Sequence, residues 1–113
     1  MQYLLMLYLD GTGWQRLTPA EQEQGMAAYH SYTEALNKAG ALLSSNGLKP
    51  ASTATTVSIV DGKVQILDGP YSDSKEQIGG YYLIDVPDLD AALAWAARCP
   101  TASHGSVEVR PIA

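Results

Sequence analysis

The sequence predicts an α+β domain whose antiparallel sheet carries both helices on one face and which pairs with a second copy of itself. Three observations lead there. Strand-like and helix-like segments follow one another as strand–helix–strand twice over. A two-residue turn, Asp61-Gly62, joins two alternating segments lying between the units. Two strand segments are apolar on both faces. With 113 residues there is room for one domain, spanning 1–113, and no repeat or linker suggests a second.

In chain order, Gln2–Tyr8 reads as a strand, with Tyr3, Leu5 and Leu7 on one side and Leu4, Met6 and Tyr8 on the other. Asp10-Gly11-Thr12-Gly13 opens a loop that runs to Leu17. Thr18-Pro19-Ala20-Glu21 has the capping-box pattern and starts a helix that ends near Ala39, before Gly40. Met26, Tyr29, Thr33 and Leu36 form its expected inner stripe. A short second strand fits Ala41–Ser45, and Asn46-Gly47 and Pro50 then break the chain. Thr53–Val60 and Lys63–Leu67 form the hairpin, pairing Ile59 with Val64 and Val57 with Ile66 on one face. Gly79–Val86 is the second strand without a polar face. Asp88 caps a helix over Leu89–Arg98, with Leu89, Leu93 and Ala96 expected inward. Ser106–Arg110 is the last strand, with Val107 and Val109 against the helices and Ser106, Glu108 and Arg110 on the open side.

This order describes a ferredoxin-like sheet with one face covered by helices and one open. Strands Gln2–Tyr8 and Gly79–Val86 need cover on that open side, and the chain has no third helix to supply it. Two copies meeting through their open faces, a dimeric α/β barrel, satisfy both.

Composition narrows the function classes. The net charge is −5 and the seven bases are scattered singly, which argues against a direct nucleic-acid partner. Cys99 is the only cysteine, so neither an internal disulfide nor a cysteine metal site can form. The apolar run Tyr3–Tyr8 is far shorter than the ~20 residues of a membrane helix, and no leader pattern precedes it. No membrane partner and a cytoplasmic location are therefore expected.

Several groups are candidates for chemistry. Asp68 ends a strand and enters Gly69-Pro70, where its carboxylate either accepts the loop's amide hydrogens or, buried in a cleft, acts as a base. His104, just before the last strand, titrates near neutral pH and is the other candidate acid/base; its alternative is an exposed loop residue. Glu108 and Arg110 share the open face, where they pair with each other or Arg110 holds a ligand carboxylate. Gly79-Gly80 permits close approach of backbone or ligand, and among the mostly core tyrosines Tyr82 is counted as a possible pocket hydroxyl. His30 and Glu34 sit one helical turn apart but lack a third ligand, so no metal or other cofactor is expected.

The stretch Asp68-Gly69-Pro70-Tyr71-Ser72-Asp73-Ser74-Lys75-Glu76, continuing to Tyr82, and Gly105–Pro111 at the end resemble the DGPF (DGPFAETKE) branch of the YCII-related family. Thr53–Val57 and Ile84–Ala92 add to the resemblance, which covers nearly the whole chain. Tyr71, Ser72 and Ser74 stand where that branch has Phe, Ala and Thr. The resemblance implies a bacterial protein with a ferredoxin-like fold and a barrel-type dimer, linked indirectly to an extracytoplasmic-function sigma factor. For the wider family a cleft His–Asp pair has been proposed as catalytic, and no single motif here reproduces it. Two readings follow. One is a homodimeric small-molecule-binding or accessory protein. The other is a cofactor-free acid/base enzyme of lyase type acting on a small organic acid, with Asp68 or His104 as acid/base and Arg110 as anchor.

Overall fold

The computed structural model describes residues 1–113. Its elements are β1 (Gln2–Asp10), α1 (Gly11–Gln15), α2 (Pro19–Lys38), β2 (Leu42–Gly47), β3 (Thr55–Val60), β4 (Lys63–Asp68), β5 (Glu76–Asp85), α3 (Leu89–Arg98) and β6 (Ser106–Pro111). Short 3-10 turns occupy Ala51–Thr53 and Pro100–Ser103. Four strands form one antiparallel sheet in the order β2-β5-β1-β6, while β3 and β4 pair only with each other. No helix is long and apolar enough to cross a membrane.

Strand alternation decides which side chains meet the helices. Tyr3, Leu5 and Leu7 of β1 and Tyr82 and Ile84 of β5 are buried beneath Tyr32 and Leu36 of α2 and Ala92 and Ala96 of α3. Each fully buried Leu or Ile there contributes about 1.5–3 kcal/mol. Five hydroxyls in this layer are satisfied locally by three hydrogen bonds. Tyr32 donates to the Trp95 carbonyl at 2.7 Å, Thr33 and Tyr82 share a hydrogen bond at 2.9 Å, and Tyr29 and Thr101 share one at 2.5 Å. No buried side-chain polar atom is left without a partner, so the layer carries no desolvation penalty of that kind.

Local signals mark several boundaries. The Thr18 Oγ1 accepts from the Glu21 amide at 3.2 Å, and the Glu21 carboxylate accepts from the Thr18 amide at 2.9 Å, which completes the capping box of α2. Gly40 ends the helix at φ 69°. Asp61 and Gly62 have φ of 51° and 75°, the conformation a type I′ turn demands, and the register pairs Val57 with Ile66 and Ile59 with Val64 as the alternation requires.

Tertiary packing overrides other expectations. The stretch after Asp10 is not all loop: Asp10 accepts from the Thr12 amide at 3.0 Å and caps the single helical turn α1. Asn46-Gly47 does not break β2 but extends it, opposite Tyr81 and Gly80. Helix α2 meets the sheet only along its C-terminal half. Its earlier turns lie against α1, where the Trp14 ring approaches Gly25, and Met26 is left 63% exposed instead of inward. On α3 the buried stripe is Ala92 and Ala96, four residues apart, while Leu89 and Leu93 are exposed. Small side chains let that helix sit close to the sheet, within reach of the Tyr32 hydroxyl.

Candidate functional site

The open side of the sheet is the candidate site. Cross-strand register places Leu4, Met6 and Tyr8 of β1 there, opposite Leu83, Tyr81 and Ile78 of β5 and Arg110, Glu108 and Ser106 of β6. From β2, Ser44 and Asn46 join them, facing Leu83 and Tyr81. At one end of this face the bases of β3 and β4 rise to form a groove of about 940 Å³. Tyr8, Ile78, Ser106 and Glu108 contribute from the sheet, and Thr56, Pro70 and Tyr71 from the hairpin base.

The loop that walls this groove is held by its backbone. Gly69 adopts φ 112°, a region open to glycine, donates its N–H to the Ala54 carbonyl at 2.7 Å and accepts from the Thr56 hydroxyl at 2.8 Å. These bonds close the hairpin base, the task assigned from sequence to the Asp68 carboxylate. Asp68 itself is exposed at the end of β4 and lines a smaller recess of about 290 Å³ with Thr56, Ser58 and Gly69. The recess and the groove share Thr56, Pro70 and Tyr71.

Other candidates fall elsewhere. His104 is exposed at the end of the second 3-10 turn, its Nδ1 3.3 Å from the Ser103 hydroxyl, and lines neither cavity. Asp68 and His104 are therefore not brought together within one chain. Tyr82 points into the helix-covered layer, 6% exposed, so its hydroxyl serves Thr33 and the core instead of the groove. Gly80 is buried where β5 meets β2; a Cβ there would lie 3.0 Å from the Asn46 carbonyl oxygen, so its use is close strand approach. His30 and Glu34 meet at 3.5 Å on the outer surface of α2, and no three His, Cys, Asp or Glu residues converge anywhere.

Glu108 and Arg110 do lie on the open face, joined by a 2.6 Å ion pair between exposed side chains. At that exposure the pair contributes ~0–1 kcal/mol and leaves Arg110 free to exchange partners.

Sequence reasoning passed over Tyr81 as a functional group. Its hydroxyl lies 3.4 Å from the Ser44 hydroxyl and accepts from the Asn46 side-chain Nδ2 at 2.9 Å. These two hydrogen bonds, Ser44 first and Asn46 second, hold the phenol below its ordinary pKa, whereas burial pushes Tyr29, Tyr32 and Tyr82 up. The alternation that assigns Leu4 and Met6 to the open face also assigns Tyr81 there. Its polar neighbours depend on the β2–β5 register, which periodicity does not supply.

Comparisons with known proteins agree with this architecture. An uncharacterized protein of Rhizobium meliloti (strain 1021) is 35% identical over 115 residues, covering 100% of this chain and 93% of that one. Among solved structures, 5-chloro-2-hydroxyhydroquinone dehydrochlorinase from Burkholderia phenoliruptrix AC1100, in complex with 2,5-dihydroxybenzoquinone, superposes with a TM-score of 0.58. That match covers 100% of this chain and 94% of the enzyme at 14% identity, a likeness of fold. The YCII-related domain model matches residues 1–113, and the chain belongs to the YCII-related family.

Proposed function

We propose that this protein is a homodimeric small-molecule-binding protein whose ligand rests on the open face of a ferredoxin-like sheet, in a barrel-type dimer. The observation that carries this reading is the open-face groove, where Tyr8 and Ile78 offer apolar surface beside Ser106 and Glu108. Apolar walls with a few convergent polar groups are the usual make-up of a ligand site. Within the YCII-related family the motif Asp68–Glu76 favours the DGPF branch, and an accessory role beside an extracytoplasmic-function sigma factor, in the cytoplasm, belongs to the same proposal.

The test is calorimetric titration with small hydroxylated rings. 2,5-Dihydroxybenzoquinone comes first, because the dehydrochlorinase of similar fold holds it. Saturable binding that weakens tenfold or more in Tyr8→Ala, a loss of about 1.4 kcal/mol, is the expected result. Heats that Tyr8→Ala leaves unchanged would place the ligand elsewhere.

One observation favours the second reading, an acid/base enzyme of lyase type acting on a small organic acid. The Tyr81 phenol, on the open face with Ser44 and Asn46 lowering its pKa, is a better-prepared proton donor than an isolated tyrosine. Arg110 is in place to anchor a carboxylate. Turnover that Tyr81→Phe removes while binding persists would establish the enzyme; equal turnover in both proteins would eliminate Tyr81 as the acid.

A further inference from the structure

The hairpin β3–β4 has no cover in a single chain. Val57, Ile59, Val64 and Ile66 form one row on it, 60%, 71%, 63% and 65% exposed, and Leu67 is 61% exposed. Neither strand pairs with the main sheet, and a two-stranded ribbon alone is marginal in water. A ladder of β-branched apolar pairs is residue chemistry selected for burial.

The shape of the whole chain points the same way. A compact monomer of this mass exposes about 6,000 Å², whereas this chain of 12.1 kDa exposes 7736 Å². The excess, roughly 1,700 Å², is about twice the ~800 Å² per partner that a standard stable interface covers. The radius of gyration is 15.9 Å, against about 13 Å for a compact domain of this length. The principal extents of 48 × 40 × 18 Å describe a flat, extended body.

A second unpartnered apolar strip lies on the same chain: Leu4, Met6 and Leu83 on the open sheet face. The arm does not fold back onto it. In a two-fold dimer each arm can lie on the other copy, and the contact closes because both copies give and receive the same surface. We propose that β3–β4 is an exchange arm. In this arrangement the row Val57, Ile59, Val64 and Ile66 seats on the open sheet face of a second copy, and each ligand groove is completed by the other chain's arm. This rests on the dimer reading above and adds to it which element makes the contact.

Sedimentation of the full chain and of the double variant Ile59→Lys/Ile66→Lys tests it, with far-UV circular dichroism as the check on folding. The variant side chains lie outside the core, so the helices and main sheet stay folded. A dimeric wild type with a folded, monomeric variant supports the arm. A variant as dimeric as the wild type overturns the arm and leaves the dimer reading intact; a monomeric wild type overturns both. Cysteine trapping locates the contact. Ile59→Cys combined with Leu83→Cys gives an inter-chain disulfide under mild oxidation if the arm lies on the partner's sheet. Efficient dimer trapping by Ile59→Cys alone would mean that the arms meet each other, and would overturn that seating.

Discussion

The sheet under the helices and the β3–β4 arm are built from the same kinds of residue and differ in what covers them. In the first, Leu5, Ile84, Leu36 and Ala92 are fully buried. In the second, Ile59 and Ile66 are more than 60% exposed, although their cross-strand pairing is as regular as any in the molecule. Strand chemistry and turn chemistry specify the hairpin's register and turn. Only packing against another layer converts its apolar side chains into stability. The open sheet face stands between these extremes, half-covered by its own neighbours, and it is there that the groove lies.

The largest test of this contrast is truncation of isoleucine in each region. Ile84→Ala removes a fully buried side chain and should lower unfolding free energy by about 2–5 kcal/mol, read by denaturant titration. Ile59→Ala should change it by less than about 0.5 kcal/mol at concentrations where chains are separate. A cost that appears only as concentration rises would sharpen the contrast, since it assigns the arm's burial to a second copy. A large cost at all concentrations would break it.

A smaller effect concerns the seam between the two faces. The Cβ of an alanine at position 105 would collide with the Tyr8 carbonyl, where β1 meets the start of β6. Gly105→Ala should therefore destabilise by about 1–3 kcal/mol and, by shifting Tyr8 and Ser106, weaken binding in the groove. Unchanged stability would show that β6 enters with more freedom than the close approach implies.

The smallest effect is electrostatic and separates the two sheet faces by pH. On the helix side, burial raises the phenols of Tyr29, Tyr32 and Tyr82 above 10.0. Their stabilisation is complete below pH 10 and is lost as the pH climbs from there through the raised values, so alkaline unfolding should begin in that window. On the open side Tyr81 ionises below its ordinary value, before any unfolding. A phenolate absorbance titration should show one early step that Tyr81→Phe removes and Asn46→Ala shifts upward. If the early step survives Tyr81→Phe, the hydrogen bonds of Ser44 and Asn46 do not set that titration.

Much of the fold is legible in the sequence. The capping box at Thr18, the Asp61-Gly62 turn and the alternation in β1, β5 and β6 are local rules, and each specifies its own geometry. The site was less legible. Tyr82 and Tyr81 are adjacent and identical in type, yet one is a core residue and the other a hydrogen-bonded phenol on the open face. Alternation separates them into two faces, but it does not say which face the helices cover. Asp68 and His104 looked alike as titratable groups near strand ends, and the structure puts neither in the main groove.

By itself, the sequence determined the elements, the turn types, the pairing register within the hairpin and the need for cover on both sides of two strands. These follow from side-chain period, φ preferences and capping, all of which act over a few residues. Tertiary structure decided which apolar stripe of each helix is buried, turning Ala92 and Ala96 inward and leaving Met26, Leu89 and Leu93 outside. It also decided that Ser44, Asn46 and Tyr81 meet, and that β3–β4 stands apart from the sheet. Those outcomes depend on how close two layers approach and on register between strands distant in sequence, and no local pattern encodes either.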